Sequence, residues 1–270
     1  MEQERSQNEQ IQDSMAATNG TFRAGSARNI QPRTSAGKKE SKAKLRVELT
    51  DLRKENYFYE EAIKTLRTNI QFAGIDVKTI LVTSSFPNEG KSDIVFQLAK
   101  EMGNAGKKTL LLDADIRKSA FIRRYGIEGE IKGLSQYLSG QVPVRVVFFA
   151  TCYQNLDMIF AGPVAPNPSE LLEGKMFGKL MAELKQRYDY VFIDTPPMAN
   201  VVDAAVVGRV CDGAVIVIES GSVGYRAVQK TKKQLEKSGT HILGAVLNKV
   251  DIKKEKYYSY YNYGKYYKAY

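Results

Sequence analysis

The 270-residue chain has two cysteines, one histidine and no long apolar run, and each shortage rules something out. Cys152 and Cys211 lie far apart and outside any C-x-x-C spacing, which argues against a disulfide framework and against a zinc site. His241, the sole histidine, stands at the mouth of the apolar run "HILGAVL". A structural role is expected for it, and a Ser-His-Asp scheme has little to build on. No run approaches the ~18 apolar residues that a membrane span needs, and the polar start "MEQERSQNEQ" does not read as a signal peptide. A cytoplasmic protein is expected. Excess charge is also missing from the middle of the chain. Of the net +10, residues 1–54 carry +4 and residues 249–270 carry +4, which leaves the interior nearly neutral. The domain itself is therefore not basic in the manner of a nucleic-acid binder, and its two basic ends can lean on an anionic membrane leaflet or stay solvated.

What is present suits one substantial α/β domain with two loose ends. Residues 1–50 are rich in Gln, Ser, Ala, Asn, Gly, Lys and Arg and poor in large apolar side chains, so they are expected to form a disordered basic arm. Residues 51–250 hold the domain. It is led by a helical stretch, "ENYFYEEAIKTLRTNIQF", and then by the apolar runs 79–84, 109–115, 156–160, 190–194, 213–220 and 242–248. Short, fully apolar strands divided by helix-length segments predict a mostly parallel sheet with helices on both faces. Asn167 and Pro168 predict a helix start, with the helix running through "SELLEGKMFGKLMAELKQR", and residues 142–153 read as a buried strand with its approaches. Residues 251–270 form a tail unlike the rest: eight of the sixteen tyrosines, Tyr257, Tyr258, Tyr260, Tyr261, Tyr263, Tyr266, Tyr267 and Tyr270, fall in the last fourteen positions. They are mixed with Ser, Asn, Gly and Lys in no pattern that faces a buried side.

The first predicted strand runs into "SSFPNEGKSD". From Ser85 this matches G-x-x-x-x-G-K-[ST] with Ser in the place of the first Gly. Between a strand and a helix such a loop cradles phosphates on successive N–H groups, with Lys91 reaching the outer phosphates and the Ser92 hydroxyl ligating magnesium. The expected nucleotide contacts are Ser85, Asn88, Glu89, Gly90, Lys91, Ser92 and Asp93. Two further motifs end strands of the same sheet: "TLLLDADIR" places Asp113 and Asp115 at a carboxyl edge, and "YVFIDTPP" places Asp194 there. Ligands of open α/β sheets bind outside that edge. Any one of these aspartates alone reads equally as a cap or turn residue. Three carboxylates near a phosphate loop call for a divalent cation among them.

With these residues in hand, the chain resembles the bacterial tyrosine kinases that accompany capsule and exopolysaccharide synthesis, a P-loop family. The resemblance covers about residues 57–270 and rests on "EAIKTLRTN", "SSFPNEGKS", "LLLDADIRK", "AGPVAPNPSELL", "FIDTPP", "GAVLNKVD" and the tyrosine-rich end. It implies ATP and Mg2+ as cofactors. Lys91 would be the phosphate lysine, Ser92 a metal ligand, Asp194 the second-motif carboxylate and Asp115 a further magnesium partner through water. Asp113 would be the candidate base, a role that sequence does not separate from metal binding, and Asn248 would lie near adenine. Glu61, Lys64 and Arg67, three apart on one helical face, fall where the family has an oligomerisation motif; a solvated helix face is the plainer alternative. The resemblance further implies a homo-oligomeric ring, phosphorylation of the tail tyrosines on a neighbouring subunit, and a transmembrane polysaccharide chain-length partner that completes the nucleotide site from the inner face of the membrane.

Four positions depart from the family pattern. Ser85 and Asn88 are mild changes, because Asn tolerates positive φ. Lys64 lacks the planar fork of arginine. Asp93 is the serious one. A carboxylate in the first helical turn is favoured by the helix dipole, yet an anion ~5 Å from a phosphate costs about 3 kcal/mol per charge pair at an effective dielectric of ~20. Weaker nucleotide binding than the family norm is the expectation, and a catalytically weak or inactive ATP-binding relative stays open. A partition or division-site ATPase is the other alternative, but it needs a lysine in the slot held here by Phe86.

Overall fold

The computed structural model describes residues 45–251 apart from 52, 54, 55, 128 and 200. The tyrosine cluster and most of the expected basic arm lie outside the described residues. In chain order the elements are β1 (Leu45–Val47), α1 (Tyr57–Phe72), β2 (Thr79–Ser84), α2 (Lys91–Asn104), β3 (Thr109–Asp113), α3 (Phe121–Arg124), α4 (Leu134–Leu138) and a 3-10 turn (Val144–Val147). They continue with β4 (Phe149–Thr151), β5 (Leu156–Ile159), α5 (Pro168–Glu173), α6 (Lys175–Arg187), β6 (Tyr190–Asp194), α7 (Asp203–Gly208), β7 (Gly213–Glu219), α8 (Tyr225–Lys237) and β8 (Ile242–Asn248).

The strands make one sheet in the order β1-β4-β5-β3-β6-β2-β7-β8, parallel throughout except where β4 meets β5. Each of the six apolar runs is a strand; five are largely buried on both faces, as in a covered parallel sheet, and the edge strand β8 is only partly covered. Alternation within β2 shows the two faces. Leu81 packs with Leu110, Leu112, Ile193 and Phe177 on one side. Ile80 and Val82 pack with Leu111, Phe192 and Phe96 on the other. Burying a side chain such as Phe96, at 0% exposure, contributes about 2–3 kcal/mol.

Three details differ from the expectation. The helix after Asn167 is two helices, broken at Gly174, whose extended ψ of 154° no α-helix contains. Asn167 does not cap with its side chain; its amide donates to Glu170 at 2.8 Å. Residues 142–153 hold a 3-10 turn and only the three-residue β4, since Pro143 starts a tight turn that buries Val144 and Val147 instead. Residues 45–50, assigned to the arm, belong to the fold: β1 pairs with β4, and Val47 and Leu49 are buried. Three residues with one buried side chain are too short for any periodic signal.

What positions the site is the middle of the sheet. β2 lies between β6 and β7, and β3 lies on the far side of β6, so the connection over α2 crosses β6. The ends of β3 and β6 are level, with Asp113 opposite Asp194, while on the other side of β6 Val82 stands opposite Asp194 and β2 continues to Ser84. The loop from β2 into α2 therefore opens directly above two aspartates.

Candidate active site

The loop after β2 is shaped by its backbone and held by buried acceptors. Asn88 (φ 67°) and Gly90 (φ 90°) both adopt the left-handed conformation that turns successive N–H groups toward one concavity. Gly90 is needed for a second reason: a Cβ there would come within 2.2 Å of the Asn248 amide nitrogen. Glu89, expected to contact the cofactor, is only 2% exposed. Its carboxylate accepts from the backbone N–H of Phe86 and, at 3.0 Å, from that of Glu219 at the end of β7. It fixes the loop's shape, and its side chain is not free to meet a ligand. Ser85 is likewise turned inward, its hydroxyl 2.9 Å from that of Thr231 on α8. Asn248 donates to the Glu89 carbonyl at 2.8 Å, and Lys249 donates to the Asn88 carbonyl at 2.7 Å, so β8 braces the loop from its other end.

Lys91 and Ser92 open α2 and converge on one carboxylate. The Lys91 ammonium lies 3.2 and 3.3 Å from the two oxygens of Asp194, and the Ser92 hydroxyl donates to Asp194 Oδ2 at 2.6 Å. Burial pushes the Asp194 carboxyl up, and Lys91 and Ser92 oppose that shift.

Its strand neighbour Asp113 behaves differently. Burial first, and the nearby Asp194 charge second, push Asp113 up to about 8. Of two carboxylates so close, the one without an ammonium partner takes the proton. The side chain of Asp113 is also fully buried. Its oxygens accept from the Ser119 hydroxyl, from the Asp115 N–H at 3.2 Å and from the Ala161 N–H at 3.4 Å. The candidate base of the sequence reading thus braces the turn after β3 and does not line the cleft. Asp115 does line it, held by the Lys118 N–H at 3.0 Å.

The cleft beside these residues has a volume of about 2280 Å3. That exceeds the ~300–1,000 Å3 of a typical small-ligand site, so it has room for a nucleotide and a peptide segment together. Its walls include Asn88, Gly90, Asp93, Asp115 and Asn248, with Arg117, Arg123 and Arg124 on the side of α3. Arg117, in the "DADIR" motif, is anchored by Asp203 at 2.6 and 3.0 Å and by Ser169 at 2.9 Å, which ties the strand end to α5 and α7. Thr231, Glu219, Lys249 and Asp203 were not among the residues singled out from sequence. They lie 86 to 161 positions from the loop or strand-end residues they hold, and no local spacing marks them.

Of the three helix-face residues expected at a subunit contact, Glu61 and Lys64 pair with each other at 2.8 Å and are about half exposed. Arg67 is turned inward and binds Glu101 of α2 at 2.8 Å. It joins α1 to the phosphate-loop helix of its own chain.

The family model described as NUBPL iron-transfer P-loop NTPase, ParA, matches residues 76–264. Tyrosine-protein kinase CpsD of Streptococcus agalactiae is 42% identical over 206 residues, 76% of this chain and 90% of that protein. The chain belongs to the bacterial tyrosine-protein kinases of the P-loop class. Tyrosine-protein kinase YwqD of Bacillus subtilis is 38% identical over 74% of this chain and 85% of its own length. Among solved structures, the kinase domain of the Escherichia coli tyrosine kinase ETK superposes with a TM-score of 0.68 at 35% identity, covering 71% of this chain and 75% of that one. As in a P-loop kinase, the nucleotide loop is the strand-to-helix turn at the carboxyl edge of the sheet.

The donors present fit a magnesium ion better than a carboxylate cage. No group of three or more His, Cys, Asp or Glu side chains converges as a metal cluster among the described residues. Magnesium beside phosphates takes only one or two protein oxygens and completes its shell with water and phosphate. Ser92 Oγ and Asp194 Oδ2, 2.6 Å apart at the foot of the loop, supply that pair. Among the described residues no helix is long and apolar enough to cross a membrane.

Proposed function

We propose that this tyrosine kinase moves the γ-phosphoryl group of Mg-ATP to the tail tyrosines of a second copy of the chain, Tyr257 to Tyr270, within a system that makes capsule or exopolysaccharide. The observation that carries this reading is the convergence of Lys91 and Ser92 on Asp194 at the N-terminus of α2, in a member of the tyrosine-kinase family. Phosphoryl transfer asks the protein mainly for positioning and charge neutralisation. The loop amides and the helix N-terminus hold the phosphates. Lys91 can leave Asp194 for a phosphate oxygen, because both partners attract the same ammonium. Ser92 and Asp194 hold the magnesium, which would supply charge neutralisation on the phosphates. Asp115 faces the cleft and is the carboxylate able to take the phenol's proton; Asp113 holds the Asp115 backbone in place. Transfer breaks the bond between the β–γ bridging oxygen and the γ-phosphorus, forms a tyrosine O–P bond and releases ADP.

The paired Glu61 and Lys64, exposed on α1, are the surface for a neighbouring subunit, while Arg67 supports that surface from behind. A separate membrane protein is the anchor in this scheme. Asn248 reaches adenine only after letting go of the Glu89 carbonyl, so its contribution there is secondary. The partition-ATPase alternative is disfavoured by Phe86, which holds the signature lysine's slot and is 44% exposed. The inactive-relative alternative draws on Asp93, whose carboxylate lines the cleft beside the phosphate loop.

Incubating the full chain with Mg-ATP, alone and with the cytoplasmic segment of its membrane partner, and mapping phosphotyrosine by mass spectrometry tests the reading. Label on the tail that disappears in Lys91→Met is expected. Label that survives in Lys91→Met, or none under either condition, sinks it.

A further inference from the structure

The carboxylate of Asp93 does not stand unopposed beside the phosphate loop. It sits in the first turn of α2, one residue after Ser92, and it lines the same cleft as Gly90, Lys91 and Ser92. A phosphate on the N-terminus of this 14-residue helix would feel it as a like charge. Its Oδ2 atom is ion-paired with the guanidinium of Arg53 and accepts the Tyr59 hydroxyl at 3.4 Å. The same guanidinium stacks over the Tyr59 ring, 3.9 Å from its centroid. Burial pushes the Tyr59 phenol up to about 12, which keeps it a donor.

Arg53 comes from the segment between β1 and α1, and that segment is itself fitted to α2. Asp51 accepts from Gln97 at 2.9 Å and from Lys100 at 3.2 Å, and caps the N–H of Arg53 at 3.1 Å. Positions 93, 97 and 100 follow the i, i+4, i+7 spacing of one helix face. The segment thus reads that face in matched charges: Arg53 on Asp93, Asp51 on Lys100. Upstream it is held by the Thr50 N–H on the Tyr125 carbonyl and by buried Leu49.

We infer that Arg53 is a positioning residue for the nucleotide: by neutralising Asp93 it lets the phosphate loop accept its anion, so nucleotide affinity depends on the docking of Asp51 and Arg53 along α2. Arg53 touches no reacting atom in this scheme and acts through Asp93. The inference rests on the nucleotide reading of the loop.

A double-mutant cycle tests it. Calorimetric titration of Mg-ADP into the full chain is run for wild type, Arg53→Ala, Arg53→Lys, Asp93→Thr, the Arg53→Ala/Asp93→Thr pair and Asp51→Asn, with the thermal midpoint of each recorded alongside. Arg53→Ala should raise the dissociation constant about tenfold, the size expected for one partly screened charge pair. Arg53→Lys should recover most of that loss. In the Asp93→Thr background, Arg53→Ala should change affinity by less than about twofold, because a residue that acts only through the Asp93 carboxylate loses its effect when that carboxylate is gone, which is the non-additivity of a coupled pair. In turnover with ATP, Arg53→Ala should raise KM and leave kcat unchanged. An equal loss from Arg53→Ala in both backgrounds, or no loss in either, overturns the inference. So does a failure of Arg53→Lys to recover any affinity while Asp51→Asn loses as much as Arg53→Ala, which marks a merely structural segment. A wild-type chain that binds no Mg-ADP instead overturns the nucleotide site itself, a result distinct from an uncoupled cycle in a protein that binds.

Discussion

The phosphate loop and the segment from β1 to α1 both lean on α2, and they are fastened by different chemistry. In the loop, backbone N–H groups meet acceptors that are almost wholly buried, Glu89 foremost. In the segment, charged side chains meet charged side chains at partial exposure: Arg53 at 31% with Asp93 at 17%, and Lys100 at 28% with Asp51 at 17%. Buried hydrogen bonds are costly to break and indifferent to salt, whereas half-exposed ion pairs contribute little and are screened. The part that must hold a transition state is fixed, and the part beside it is adjustable.

The contrast is broken most completely at the loop's chemical groups. Lys91→Met should lower phosphotyrosine formation by about 10²–10³-fold, the size seen for loss of one electrostatic donor in a charged transition state, with the fold intact by circular dichroism. Glu89→Ala comes next. It leaves the Phe86 and Glu219 N–H groups without their acceptor and should cost roughly 2–4 kcal/mol in chemical denaturation, with Mg-ADP binding lost in parallel. An unchanged denaturation midpoint would mean the loop is not held as described.

A smaller effect should come from Asp212, which fastens the start of β2 through Lys185, both N–H groups of Lys78 and Thr79, and the Thr79 hydroxyl. Burial raises its pKa, but Lys185 and these donors more than offset that, and the net shift is downward. A carboxyl lowered in the folded state stabilises above its unfolded value of about 3.9 and loses that contribution as pH falls through the lower folded value. Asp212→Asn should therefore be less stable than wild type at pH 6, with the gap closing below about pH 4. A gap that widens in acid refutes the assignment. The smallest effect belongs to Asp51→Asn. It should cost about 0.2–1 kcal/mol of global stability and speed amide exchange at Thr50, Asp51 and Arg53, and the difference should fade in 1 M salt. Persistence of the difference in 1 M salt would place the segment with the loop and erase the contrast.

Much of the domain could be read before any coordinates. Short apolar runs of five to eight residues divided by helix-length segments mark the strands of a mostly parallel sheet, and Gly90-Lys91-Ser92 after such a run sits at its carboxyl end. The same logic puts Asp113, Asp115 and Asp194 at the carboxyl edge of the sheet, and of the three Asp115 lines the cleft while Asp194 lies beneath it, paired with Lys91 and Ser92. The inward turn of Asp113 was not legible, because "DAD" looks the same whichever of its two aspartates faces the cleft. Nor was the fate of Arg67, which shares a helical face with Glu61 and Lys64 in sequence but meets Glu101 in space. Asp93 was the sharpest case: its charge was visible and its partner was not. Arg53 lies forty positions upstream in a stretch with no periodicity.

Periodicity and chain order were enough to settle the sheet, its helical cover and the place of the phosphate loop, because those follow from which side chains avoid water and from the short reach of neighbouring residues. Which acid is neutral, which glutamate shapes the loop and which arginine cancels the odd carboxylate were decided by folding alone. Charges act over a few ångströms, and only the folded chain brings residues 53, 93, 194 and 219 that close to their partners.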